Sequence, residues 1–162
     1  MQGGRIIQRG RVQVMEANLK HQSGLYFKVQ IRDHQLDLDA KLEAGGGNHG
    51  PSPKEMVLAA VAGCSGMDVA SLLTKMRIPY TSLEVTASAD LTETHPKVFK
   101  EIVLTFKLEG ENLSLDKVQK SVDMSLTTYC GVSAMVHRVS PVRYVIELNG
   151  KKAAEGQAQF KY

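Results

Sequence analysis

Gly50-Pro51-Ser52-Pro53-Lys54-Glu55-Met56-Val57-Leu58-Ala59-Ala60-Val61-Ala62-Gly63-Cys64-Ser65-Gly66-Met67-Asp68 opens a helix with clear punctuation and carries one of the two cysteines in the chain. Ser52 suits the N-cap and Pro53 the first helical position. Glu55 stands three residues after the cap, the spacing of a capping box in which the carboxylate reaches back to the Ser52 N–H. At the far end, the ring of Pro79 disfavours helical geometry at Ile78, so the helix is expected over 52–77. From Met56 to Met67 it is apolar almost all round, which marks a central element rather than a surface one. Gly63 and Gly66 each cost about 1 kcal/mol against Ala in a helix interior, so close packing or a site must account for them. The apolar run is twelve residues long, whereas a membrane span needs about 20. A buried helix is expected, and no membrane partner.

On the N-terminal side, Gly45-Gly46-Gly47-Asn48-His49-Gly50 reads as a loop and a flexible joint. It lacks the Gly-Lys-Ser/Thr ending of a phosphate-binding loop. The first 40 residues read as strands. Leu25, Phe27, Val29 and Ile31 alternate with polar neighbours at the period of a half-buried strand. Arg11–Met15 is a shorter candidate, and Leu36 and Leu38 begin a run that ends near Ala40.

On the C-terminal side, Leu83, Val85, Ala87, Ala89 and Leu91 alternate, as do Ile102, Leu104, Phe106 and Leu108. With a turn at Thr92–Pro96, a hairpin is expected over 80–110. Ser114 is placed to cap a second helix, in which Val118, Val122 and Leu126 share one face at spacing four. That helix, Cys130 and a short helical turn at Val132–His137 occupy 114–138. A strand follows over 142–149. In the tail, Ala158, Phe160 and Tyr162 recur at spacing two and suggest an edge strand. Runs of strands around two helices favour a single α+β domain over 1–162 rather than a doubly wound parallel sheet.

Composition narrows the function. Apolar residues make up 43% and charged residues 23%, as in folded proteins. Twenty basic and 17 acidic residues leave a formal charge of +3 with no like-charged run, so nucleic acid is not expected as a partner. The densest basic stretch, Arg5, Arg9 and Arg11, is interspersed with Ile6, Ile7 and Val12, as on a solvated strand face. The first fifteen residues have no apolar signal core, so a cytoplasmic protein is expected. Two cysteines are too few to staple a secreted domain. Counting alone leaves a transient redox pair and two inert buried thiols both open. No Cys-x-x-Cys or His-x-x-x-His spacing marks a metal site, and no cofactor is expected. His21, His34, His49, His95 and His137 are scattered, with no local Cys–His hydrolase signature.

Cys64 falls in the third turn of its helix. Burial among aliphatic groups raises a thiol pKa, and a helix N-terminus acts only on the first turn. Activation therefore needs a cation or a hydrogen-bond donor from elsewhere. Asp68, one turn on, shares the face of Cys64. It is placed to orient a partner at the site, yet it opposes thiolate formation and is read as a structural anion paired elsewhere. Cys130 precedes a short helical turn, whose N-terminus favours a thiolate. A mobile thiol there suits attack on a sulfenic acid.

The Gly50–Glu55 segment, with Leu58-Ala59-Ala60 and Ala62-Gly63-Cys64-Ser65-Gly66-Met67-Asp68, resembles the first cysteine helix of the OsmC/Ohr family. Thr128-Tyr129-Cys130-Gly131-Val132-Ser133-Ala134 resembles that family's second motif, Cys-Pro-x-Ser, with Gly131 in place of the common Pro. The likeness spans about residues 20 to 150, with the cysteines 66 positions apart. It implies an OsmC-like α+β fold, with antiparallel sheets wrapped around two central helices in an intertwined homodimer. It further implies a peroxidatic Cys64 that reduces organic hydroperoxides or hydrogen peroxide, and Cys130 as the resolving thiol. A dithiol reductant, often lipoyl-type, then restores the enzyme. Two positions depart from the pattern. Lys54 stands where a supporting Glu is usual, with Glu55 one residue later. Asn18-Leu19-Lys20-His21-Gln22, the stretch before an early strand where the family supplies an Arg, offers Lys20 or His21. The alternative is a small-ligand-binding or redox-sensing protein without efficient peroxidase turnover.

Overall fold

The computed structural model describes residues 15–161, so the expected strand at 11–15 and the basic stretch before it lie essentially outside the described residues. The chain divides into two compact units, residues 1–53 and 54–162.

The first unit carries an antiparallel sheet of β1 (Asn18–Ser23), β2 (Tyr26–Ile31) and β3 (His34–Leu38), in that order. Leu19, Val29 and Leu36 line up across the three strands, and Phe27 pairs with Leu38. β1 occupies the stretch read in the sequence as preceding an early strand. Its single apolar residue, Leu19, is too little for a period-two signal. Leu25 stands in the β1–β2 turn instead of starting β2.

The glycine-rich segment is not a bare joint. It folds around Asp39, which is 2% exposed. The Asp39 carboxylate accepts hydrogen bonds from the N–H groups of Ala40 (2.7 Å), Gly47 (2.9 Å) and His49 (3.2 Å), and pairs with His49 Nδ1 at 2.7 Å. The His49 ring stacks on Tyr26 at 4.6 Å. Gly46 lies so close that a Cβ there would strike the Ala40 carbonyl, so the glycines permit a backbone approach.

The second unit is built on helix α1 (Pro53–Lys75) and a sheet of β4 (Ser82–Leu91), β5 (Phe99–Glu109), β6 (Val142–Leu148) and β7 (Lys151–Gln157), in that order. β4 and β5 form the hairpin, with Val85 opposite Phe106 and Ala87 opposite Leu104. One pair in this sheet is parallel, β5 with β6. Helices α2 (Leu115–Met124) and α3 (Gly131–His137) lie between those strands and supply the long crossover that a parallel pair needs. Ser114 has the extended geometry of an N-cap, but its side chain makes no capping hydrogen bond.

Ile102, Leu104, Phe106, Leu108, Val142 and Ile146 are fully buried on one sheet face. Val61, Val69 and Leu73 of α1 join them, as do Val118, Val122 and Leu126 at the predicted spacing of four. Each such side chain contributes about 1.5–3 kcal/mol on burial. The last strand, β7, precedes the tail positions read as an edge strand. Ala158 is buried just beyond it, and Gly156 leaves room for the Tyr144 ring on β6.

The first helix departs from expectation in one respect. Its apolar character continues through Val69, Ala70, Leu72 and Leu73, so by length and composition it is one helix long and apolar enough to cross a membrane. Only 22% of its most apolar 18-residue window is buried within this chain. Val61, Ser65, Val69 and Leu73 form the inward stripe, while Val57 and Met67 are exposed. The two glycines differ accordingly. A Cβ on Gly66 would lie 3.2 Å from Val85 Cγ2 on β4, whereas one on Gly63 would meet nothing within 4 Å.

Candidate thiol site

Helix α1 carries Cys64, Ser65 and Asp68 toward the segment that joins α2 to α3. Cys64 and Asp68 are one helical turn apart and so project together. Across from them, α2 runs into a wide π-helical turn at Ser125–Tyr129, closed by the Cys130 N–H donating to the Ser125 carbonyl at 2.9 Å. Such turns recur at functional sites because the extra residue re-aims the chain. At Cys130 the backbone is extended (φ −71°, ψ 95°) and the residue caps α3.

The sulfur atoms of Cys64 and Cys130 and a carboxylate oxygen of Asp68 all lie within 4.8 Å of one another. Cys130 is fully buried and Cys64 half-buried. Three groups fix the Cys130 sulfur. The Ser65 hydroxyl donates to it at 3.3 Å, the Ser133 N–H donates to it at 3.3 Å, and its thiol donates to the Ser133 hydroxyl at 3.0 Å. Ser65 and Ser133 share a further hydrogen bond of 3.0 Å.

Burial pushes the Cys64 thiol up to about 11, helped by a hydrogen bond with Cys130 and by the negative charge of Asp68. The Val132 N–H works against this, favouring the thiolate. Among the described residues no cation figures in these influences. Asp68, read from the sequence as an anion paired elsewhere, instead belongs to the thiol cluster and accepts a hydrogen bond from the Ser125 hydroxyl at 3.0 Å.

Glu55, in the first turn of α1, is nine residues before Cys64, about 14 Å along the axis at the usual helical rise. It lines a groove with Val85, Thr86 and Ala87. Lys20 and His21 are exposed on β1 in the first unit, where His21 Nε2 lies 3.0 Å from the Gly24 carbonyl. Among the described residues no histidine joins the cluster, and His137 packs its ring against Phe160. The π-helical turn and Ser65 were not singled out from the sequence. The only advance signal was a serine beside each motif's cysteine or three residues after it.

Fold and site together define a class: an α+β thiol protein whose two cysteines, distant in sequence, meet beside a long apolar helix. Residues 45–145 match the family described as OsmC-like protein, and the chain belongs to that family. It is 34% identical over 135 residues to protein YhfA of Escherichia coli K12, a match covering 83% of this chain and 98% of YhfA. Among solved structures, a protein of Aquifex aeolicus VF5 is similar, with a TM-score of 0.75 at 22% identity over 93% of this chain and all of that one. An organic hydroperoxide resistance protein OsmC from Legionella pneumophila matches with a TM-score of 0.59 at 18% identity, covering 86% of this chain and 97% of that one. Family membership and the paired thiols support a redox or peroxide-related function.

Proposed function

We propose that the chain is a thiol-dependent peroxidase for organic hydroperoxides or hydrogen peroxide. The observation that carries this reading is the approach of the Cys64 and Cys130 sulfurs to within 4.8 Å. The ionised Cys64 sulfur attacks one peroxide oxygen, the O–O bond breaks, and alcohol or water leaves with a proton. Cys64 is then a sulfenic acid. The Cys130 sulfur displaces water from it to form a disulfide. A dithiol, with lipoyl-type compounds as the favoured class, regenerates both thiols by exchange in a reducing compartment such as the cytoplasm.

The open side of α1 supports a homodimer. A groove of about 530 Å³ runs there between α1 and β4, lined by Ala59, Gly63, Gly66, Met67, Leu83 and Val85. Small residues of this kind let a second copy of the helix approach closely.

A second reading is favoured by the Cys64 thiol, which burial holds at about 11. That chemistry suits a slow redox sensor or a small-ligand binder. Hydroperoxide consumption with a dithiol reductant separates the two. Turnover by the parent protein and its loss in Cys64→Ser support the peroxidase. Equal consumption by parent and Cys64→Ser removes it.

A further inference from the structure

We propose that the reduced site binds one divalent cation of the zinc type through Cys64 Sγ, Cys130 Sγ and an Asp68 carboxylate oxygen. This does not rest on the peroxidase reading and requires only that both thiols be reduced.

Three donors of the right kind already stand together, within 4.8 Å of one another. Tetrahedral zinc bonds of about 2.3 Å to sulfur and 2.1 Å to oxygen set ligand atoms about 3.6–3.8 Å apart. Closing the set takes a shift of about 1 Å at most. Two come from one helix face at i and i+4, and the third from the turn that opens α3, so rigid elements hold all three.

The surroundings also fit. The Ser125 hydroxyl donates to Asp68 Oδ2 at 3.0 Å, which orients the carboxylate and leaves its other oxygen available. The Ser65 hydroxyl and the Ser133 N–H hold the Cys130 sulfur. Partners of this sort orient ligands in metal sites, and their loss typically costs 10–100-fold in affinity. Two sulfurs with one carboxylate favour zinc-like ions over magnesium or calcium, which prefer all-oxygen shells. Cys64 is half-buried, so an ion has a route in, and three protein ligands leave a fourth position for water.

The charges balance. Each thiol gives up its proton on binding, so a dication releases about two protons and leaves a net charge of about −1 on ion and ligands. No electron moves. Because both sulfurs are ligated, the bound ion excludes the Cys64–Cys130 disulfide.

The test titrates the reduced, full-length chain with Zn²⁺ and with Cd²⁺, without oxygen, against a chromophoric chelator. One ion per chain, release of about two protons and an ultraviolet thiolate-to-Cd²⁺ band are expected, with no competition from Mg²⁺. Asp68→Asn is expected to weaken binding by more than the roughly 10–100-fold that loss of an outer-shell partner costs. Asp68→Ser gives the same reading should the Asn variant not fold. No ion retained by the reduced parent overturns the proposal. So does equal affinity in the Asp68 variants, or an ion retained by the Cys64→Ser, Cys130→Ser double variant. Failure of the peroxidase reading is separately visible, as absence of hydroperoxide turnover in a chain that still binds the ion.

Discussion

The hydroxyl of Ser65, the residue after Cys64 on α1, donates a hydrogen bond to the Cys130 sulfur at 3.3 Å although they stand 65 positions apart in the chain. The same hydroxyl lies 3.0 Å from that of Ser133. One buried side chain thus ties the helix of the first cysteine to the turn of the second.

Ser65→Ala removes both contacts. At about 1 kcal/mol for each buried hydrogen bond, the variant is expected to lose about 1–2 kcal/mol and to lower Tm by about 3–6 °C for a chain of this length. Disulfide formation between Cys64 and Cys130 slows with it, because the second sulfur loses a group that positions it. Thermal unfolding and the rate of thiol loss after a peroxide pulse measure the two effects. An unchanged Tm contradicts the role given to Ser65.

The Cys64 thiol, held at about 11 chiefly by burial, is mostly protonated at neutral pH. Its alkylation rate is expected to keep rising with pH beyond 9, where an ordinary thiol levels off. Linkage gives the sign for stability. The folded pKa lies above the unfolded value, so this contribution is fully present below the unfolded pKa. It is lost as pH rises toward about 11. Asp68→Asn removes a negative neighbour and is expected to move the alkylation profile to lower pH. A plateau below pH 9 in the parent chain opposes this account.

Two glycines on α1 are expected to behave differently. Gly63→Ala adds a methyl where nothing lies within 4 Å, so in a monomer it stabilises the helix by about 1 kcal/mol. Where a second copy packs on that face, the same change weakens self-association. Gly66→Ala gains the same helix propensity but sets its methyl 3.2 Å from Val85 Cγ2, so it is expected to stabilise the single chain less than Gly63→Ala does. Sedimentation and unfolding at several concentrations distinguish these effects. A dimer unaffected by Gly63→Ala rules out close packing at that point.

The buried Asp39 carboxylate is lowered to about 2, first by its hydrogen bond to His49 and then by backbone N–H groups. Its folded pKa is below the unfolded value of about 3.8, so the stabilisation is present above that value and is lost as pH falls through about 2. Asp39→Asn is expected to flatten the acid limb of the stability curve. Acid unfolding followed by circular dichroism checks this, and an unchanged acid limb in the variant argues against the pairing.

What could be read in advance followed local rules. Helix α1 has terminal punctuation, the β4–β5 hairpin has clean alternation, and Val118, Val122 and Leu126 share a face; each pattern lies within a few turns of chain. The remainder depended on contacts between distant segments. β1 carries one apolar residue, Leu19, and β7 is Lys151-Lys152-Ala153-Ala154-Glu155-Gly156-Gln157, so neither shows a period of two. Both are strands because neighbouring strands supply the hydrogen bonds. The π-helical turn has no sequence signature, yet it sets where Cys130 points. Asp68 reads in the sequence as an anion paired elsewhere because only the crossover brings Ser125 and Cys130 to it. His49 is a loop residue as read, and its pairing with Asp39, ten residues earlier, has no local signature.

The mass of the intact chain after a brief, substoichiometric peroxide pulse tests the central claim most directly. Loss of about two hydrogens per chain is expected, reversed by a dithiol and abolished in both Cys64→Ser and Cys130→Ser. Gain of oxygen on Cys64 with Cys130 still free to alkylate after denaturation, or no change in mass at all, would contradict the account.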